Sequence, residues 1–352
     1  MIPLSLEAFL SRTVAICVFL LCGHMKLLHI TVKVDYVRQY FSCDIICSVH
    51  NVAKAVSTVD FRSLLTERGH LLFDGAWGTL LQSAGLEAGD IPERLNLIAP
   101  EKVAAVAQSY VDAGSDMIIT NSFGGSRLKL SNYGLEDSVK EINIEAARIS
   151  KRIAGNERLV FGSVGPTGRF VEPIGDVSVE EMTNIFVEQI EALVSGGVDG
   201  ILIETMVDLQ EAECAITAAK SVFDGPIACT FAFDYLPAGF RTMMGVSPEQ
   251  FVDRITRAGA DIIGANCGSV NPIQMVDLVA RLRSLTDLPI VARPNGGLPR
   301  LIDGVTVFQE SPEVFSRIAV RLIDAGASII GGCCGTTPDH IRAMKSALTR
   351  KN

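Results

Sequence analysis

The phrase Asp324-Ala325-Gly326-Ala327-Ser328-Ile329-Ile330-Gly331 reads as a helix end, a glycine turn and a short apolar strand. It has three echoes: Asp112-Ala113-Gly114-Ser115-Asp116-Met117-Ile118-Ile119, Ser195-Gly196-Gly197-Val198-Asp199-Gly200-Ile201-Leu202 and Arg257-Ala258-Gly259-Ala260-Asp261-Ile262-Ile263-Gly264. In each, a glycine is expected as the left-handed stop of the preceding helix. A helix that returns the chain to an apolar strand is the mark of βα units around a parallel sheet. Outward from these four phrases, eight short apolar runs are found near residues 70–74, 116–121, 159–164, 200–204, 227–233, 261–266, 289–293 and 328–332, with amphipathic stretches between them. Eight is the number that closes a (β/α)8 TIM barrel. An open doubly wound sheet is the alternative, but no Gly-x-Gly-x-x-Gly follows the first strand as a dinucleotide site would want.

The regular pattern starts near Phe61, so residues 59–352 are expected to form the barrel and residues 1–58 a non-barrel N-terminal extension, disordered or arising from a start called too early. The run from Thr13 to Cys22, preceded by Arg12, is as long as a signal-peptide core. No small-x-small cleavage site follows it, and it is too short to span a bilayer. The native N-terminus is accordingly expected between Met25 and about Val59.

At 352 residues, 48% hydrophobic and 20% charged, the chain can bury one large core. Its net charge of −9 argues against nucleic acid and acidic membrane surfaces as partners. Nine cysteines are too small a share of so long a chain for a disulfide scaffold. A thiolate site needs a reducing compartment, which makes cytoplasm the expected location.

The last echo runs on into Gly332-Cys333-Cys334-Gly335-Thr336-Thr337-Pro338, where a strand gives way to a helix with Pro338 in its first turn. Neighbouring side chains on a strand point to opposite faces, so both sulfurs can reach one centre only where glycines let the backbone leave the strand. Three readings compete for the pair: small buried hydrophobes, a strained adjacent disulfide, or metal ligands whose thiolate form the following helix N-terminus favours. In a βα barrel the active site forms at the C-terminal ends of the strands. Cys267 ends the sixth strand on that rim, and Gly268 beside it leaves room for a ligand. Three thiolates suit Zn²⁺, one per chain, with the fourth place open as in catalytic sites. Cys214 and Cys229 read as core, and His340 as a group of the helix end. Such a zinc activates water poorly but keeps a thiol deprotonated and electron-rich, which points to alkyl transfer onto sulfur. Asp74 and Glu204 on the same rim could hold the ammonium of an amino-acid thiol, with backbone N–H groups of Gly75 and Ala76 taking its carboxylate.

The stretches Asp74 to Thr79, Thr120 to Leu130, Gly165-Pro166-Thr167-Gly168, Glu204-Thr205, Asn266-Cys267, Pro294-Asn295-Gly296-Gly297 and Gly331 to Pro338 together resemble the homocysteine S-methyltransferase family. The resemblance is closest to the homocysteine-binding barrel of cobalamin-dependent methionine synthase. It implies zinc on Cys267, Cys333 and Cys334 and homocysteine sulfur as the fourth ligand. It also implies that Asp74, Glu204 and the Gly75-Ala76 backbone hold the amino-acid end, and that Asn295 is the candidate oxygen ligand when substrate is absent. The methionine synthase it resembles carries folate, cobalamin and reactivation modules after the barrel, whereas this sequence stops at Asn352. The expected donor is therefore a methylcorrinoid (methylcobalamin) on a separate protein. The alternatives are betaine, S-methylmethionine, or a non-catalytic zinc- and thiol-binding subunit of a corrinoid complex. Arg293 departs from the pattern, and a bulky cation there is expected to meet the donor or a partner.

Overall fold

The computed structural model describes residues 60–87, 89–302 and 305–351. The extension expected over residues 1–58 lies outside the described residues. Eight parallel strands form one sheet: β1 Leu71–Leu72, β2 Met117–Ile119, β3 Leu159–Val164, β4 Gly200–Met206, β5 Ile227–Phe231, β6 Ile262–Asn266, β7 Ile290–Arg293 and β8 Ile329–Ile330. Sequence neighbours pair from β2 through β8, and β8 returns to pair with β1. The β1–β2 seam has no regular ladder. It is closed by Asp116, whose N–H donates to the Leu72 carbonyl at 2.8 Å and whose carboxylate accepts the Leu72 N–H at 2.9 Å. Seven of the eight strands fall within the runs expected from the sequence, β4 runs two residues past its expected end at Glu204, and the fold is an α/β barrel of the TIM type.

An outer layer of helices follows the strands: α1 Phe61–Arg68 precedes β1, and α2 Pro100–Asp112, α3 Val139–Ala154, α4 Val179–Ser195, α5 Leu209–Val222, α6 Pro248–Ala258, α7 Pro272–Arg283, α8 Pro312–Asp324 and α9 Pro338–Lys351 each follow a strand. Their starts are locally encoded. Ser247 and Asn271 make full capping boxes with Gln250 and Gln274, and a proline opens both helices. Their ends are encoded too: Gly114, Gly197, Gly259 and Gly326, one from each repeated phrase, all take positive φ, between 94° and 105°. Strands β3 to β7 are buried along their length apart from Thr205, as a sheet covered on both faces requires. Gly264 in β6 shows how closely the strands approach: a Cβ there would lie 2.0 Å from the Val291 carbonyl oxygen.

Two hairpins stand outside the barrel and have no counterpart in the sequence reading. One joins Asp234–Leu236 to Gly239–Arg241 after β5, and the other joins Arg300–Ile302 to Val305–Val307 after β7. Among the described residues no helix is long and apolar enough to cross a membrane.

Candidate functional site

At the C-terminal rim, β6 and β8 deliver three cysteines to one place. The sulfurs of Cys267, Cys333 and Cys334 all lie within 4.8 Å of one another, with 3.7 Å between Cys267 and Cys334. The backbone leaves strand geometry to achieve this. Cys267 has φ 59°, a left-handed conformation that costs an L-residue about 1–2 kcal/mol, and the glycine after it continues at 66°. Thr205 at the end of β4 has φ 63°. Strain of this kind concentrates where a fold holds functional groups. Main-chain bonds tie the cysteine loop to β1 and to the loop after β7: Gly332 N–H to Asp74 O at 2.9 Å, Cys333 N–H to Pro294 O at 2.9 Å, and Gly296 N–H to Cys334 O at 2.8 Å.

Hydrogen bonds within the trio are the first influence on each thiol and pull in both directions. With burial and like charge they leave all three at about 12. Such thiols stay protonated near neutrality unless a cation lies among them, and three sulfurs this close could hold one metal ion. The other two described cysteines fit the core reading: Cys214 on α5 and Cys229 in β5 are buried and free. His340 has no place in the trio. Its Nδ1 accepts the Thr337 N–H at 3.1 Å and its Nε2 meets the Glu310 carbonyl at 2.9 Å, so it closes the start of α9.

Beside the trio is a cavity of about 540 Å³, whose walls include Gly75, Ala76, Glu204 and all three cysteines. Asp74 is not on its surface. It is fully buried, with Oδ1 paired to Arg293 Nη2 at 3.2 Å and Oδ2 accepting from Trp77 Nε1 at 2.7 Å and from the Ile119 N–H at 2.8 Å. Burial pushes its carboxyl up to about 6, against the pull of the Arg293 charge. Glu204 receives Arg293 Nη1 at 3.1 Å and the Ser163 hydroxyl at 2.6 Å. The Ala76 N–H is already donated to Thr336 Oγ1 at 3.2 Å.

Arg293, expected from its sequence position to meet the donor or a partner, borders the same cavity, and its guanidinium is paired with two buried carboxylates. It is 2% exposed, bridges Asp74 and Glu204, donates from Nε to the Gly332 carbonyl at 3.1 Å, and lies 5.0 Å from the Phe73 ring centroid. Two carboxylates buried side by side need such a cation. Asn295 donates from Nδ2 to Gly268 O at 3.0 Å, while its Oδ1 is buried with no partner. The sequence reading assigned no role to Asn266. Its amide joins Thr205, Thr230 and the Cys333 sulfur, the last at 3.6 Å. A polar residue ending a buried strand was its one signal.

Comparison with known proteins gives this geometry a family. The homocysteine S-methyltransferase model matches residues 71–348. The chain is 29% identical to the methionine synthase of Mycobacterium leprae (strain TN) over 294 residues, covering 79% of this chain and 24% of that protein. For the methionine synthase of Mycobacterium tuberculosis (strain ATCC 25618 / H37Rv) the figures are 28% over 310 residues, covering 84% and 26%. The chain thus spans about a quarter of the length of these relatives. Among solved structures it resembles the oxidized form of the homocysteine methyltransferase MmuM from Escherichia coli at 25% identity and a TM-score of 0.67, covering 81% of this chain and 98% of that one. The metallated form of MmuM, at 24% identity and a TM-score of 0.68, shares the fold over the same extents. The chain belongs to the homocysteine S-methyltransferase family.

Proposed function

We propose that the chain methylates the sulfur of homocysteine to form methionine, with one Zn²⁺ held by Cys267, Cys333 and Cys334. The observation that carries this reading is the convergence of three thiols from two strand ends. A tetrahedron of Zn–S bonds of about 2.3 Å has an edge of about 3.8 Å, and the Cys267 and Cys334 sulfurs are 3.7 Å apart. Three soft ligands suit Zn²⁺ and leave a fourth place, for which the unpartnered Asn295 Oδ1 is the candidate oxygen when no substrate is bound. When bound, the ion supplies the means to keep the acceptor thiol deprotonated near neutral pH, while thiolate charge keeps that sulfur electron-rich.

The chain's own residues do the rest. Asn266 steadies the Cys333 sulfur. Glu204, with Gly75 and Ala76, faces the cavity where the acceptor's amino-acid end would rest, and Asp74 acts from beneath through Arg293. Transfer is a direct displacement in which a sulfur–carbon bond forms as the bond from methyl to its leaving group breaks. Much of the rate comes from holding sulfur and methyl in line within about 3.5 Å. The motif resemblance to the cobalamin-dependent branch supports a methylcorrinoid on a separate protein as the donor, and the thiolate site supports a cytoplasmic location.

Metal analysis of the purified protein, followed by homocysteine methylation with methylcobalamin, betaine and S-methylmethionine, tests the reading. Cys333→Ala is expected to abolish both zinc retention and transfer. Full activity in a zinc-free Cys333→Ala variant would refute the mechanism.

A further inference from the structure

Asn266 is the last residue of β6 and is 1% exposed, behind the part of the cavity wall that Glu204, Thr205 and Cys333 form. Its carboxamide has one orientation. The Thr205 N–H can only donate and therefore faces Oδ1, at 2.9 Å, and the Thr230 hydroxyl donates to the same oxygen at 2.7 Å. Nδ2 is left with two hydrogens for three acceptors. Thr205 Oγ1 takes one at 2.7 Å, while Cys333 Sγ at 3.6 Å and Glu204 Oε2 at 3.5 Å share the other. That separation is long for a bond to oxygen but ordinary for one to the larger sulfur, so the second hydrogen rests mainly on Cys333. Both ends of the amide thus grip Thr205, which has φ 63° and lies in the step between Ile203 and Met206 where the β4–β5 register shifts. A threonine persists in that conformation only where its surroundings hold it. Glu204 is carried in the same step, so the grip on Thr205 sets where the carboxylate stands, with Ser163 and Arg293 holding its oxygens.

We infer that Asn266 is a positioning residue that fixes the distance between Glu204 and the Cys333 sulfur, and that this distance selects the chain length of the acceptor thiol. The inference rests on the proposed function, in which the acceptor's sulfur joins the three thiols and its amino-acid end lies at Glu204. The two ends of one small molecule are then held by groups that a single side chain ties together. Homocysteine spans the interval, whereas cysteine is one methylene shorter and reaches both ends only if the tie yields. One methylene in a pocket of fixed shape is worth about 10- to 200-fold.

Calorimetry on the zinc-loaded chain measures binding of L-homocysteine and L-cysteine, and absorption of the cobalt(II)-substituted chain reports the sulfur-to-metal charge-transfer band. The wild type should bind homocysteine at least about tenfold more tightly than cysteine. Asn266→Ala should weaken homocysteine about tenfold and leave cysteine within about twofold. It should also move the band to lower energy, because a thiolate without its N–H donor gives up charge more readily. Thr205→Gly suits a left-handed turn and frees it, so this variant too should lose the preference for homocysteine. Thr230→Val removes a bond on the far side of the amide and should cost stability while leaving preference and band in place. A folded Asn266→Ala chain with the wild-type preference, or with an unmoved band, overturns the inference. If that variant does not fold, an unchanged preference in Thr205→Gly overturns it instead. Equal loss of preference in Thr230→Val does so as well, as does a wild type that binds both thiols alike. A preference lost in the variants, in a chain whose wild type transfers no methyl group, upholds the inference and sinks the methyltransferase reading. A wild type that binds neither thiol sinks both.

Discussion

Replacing Arg293 with methionine keeps the apolar stem of the side chain and removes the guanidinium with its charge. The arginine is 2% exposed, and its guanidinium is within 3.2 Å of one oxygen of Asp74 and 3.1 Å of one of Glu204. Removing the shared cation leaves two buried carboxylates uncompensated, and breaking a buried pair in this way costs about 3–5 kcal/mol. In a barrel of this size about 1 kcal/mol moves the melting temperature by roughly 2 °C, so thermal unfolding followed by circular dichroism should show a fall of about 8 °C. The pH dependence carries a sign. Asp74 titrates at about 6 in the fold against an ordinary 3.8, so it costs stability increasingly as pH rises through that window and in full above it. The Arg293 charge pulls that value down, so its loss extends the window upward. The gap between variant and wild type should therefore narrow on going from about pH 8 to about pH 5. Adding Asp74→Asn to the variant should recover part of the loss, because the sites are coupled. A variant that melts within about 2 °C of wild type at every pH would refute the account of the triad.

Gly268 has φ +66°, and a Cβ there would lie 2.1 Å from the Phe233 carbonyl oxygen. Gly268→Ala should therefore cost at least about 2 kcal/mol in urea unfolding and lower the zinc content, because it displaces Cys267 next door; an unchanged midpoint would contradict this. Thr336 is fully buried, accepts from the Ala76 N–H at 3.2 Å and donates to the Cys333 carbonyl at 2.7 Å. Thr336→Val should cost about 2–3 kcal/mol and weaken metal retention, and Thr336→Ser should restore both; failure of the serine to do so would point to packing rather than hydrogen bonding.

Much of the fold was legible because its signals are local. A helix stop needs one glycine able to take positive φ, and four such glycines introduced the even-numbered strands. The barrel strands fell where runs of apolar residues put them, because both faces of a parallel sheet are covered. Where a non-local bond intervened, the reading overshot. The first strand was expected over residues 70–74 but pairs only at Leu71 and Leu72, beside a seam that the Asp116 side chain closes. The two hairpins were missed because their strands are short and form no part of the barrel.

The site divides in the same way. Vicinal cysteines between glycines, and a third at the end of another strand, could be read from the chain because strand ends must meet on one rim. The direction of a long side chain could not. Arg293 turns inward because Asp74 and Glu204, distant in sequence and buried beside it, leave it no cheaper arrangement than pairing with both. Asn266 gave little sign in the sequence, since its contact with the Cys333 sulfur is defined only by what surrounds it in space. Backbone periodicity is a property of neighbours along the chain and can be read from order alone, whereas the partners of buried charges are chosen among groups that only folding brings together.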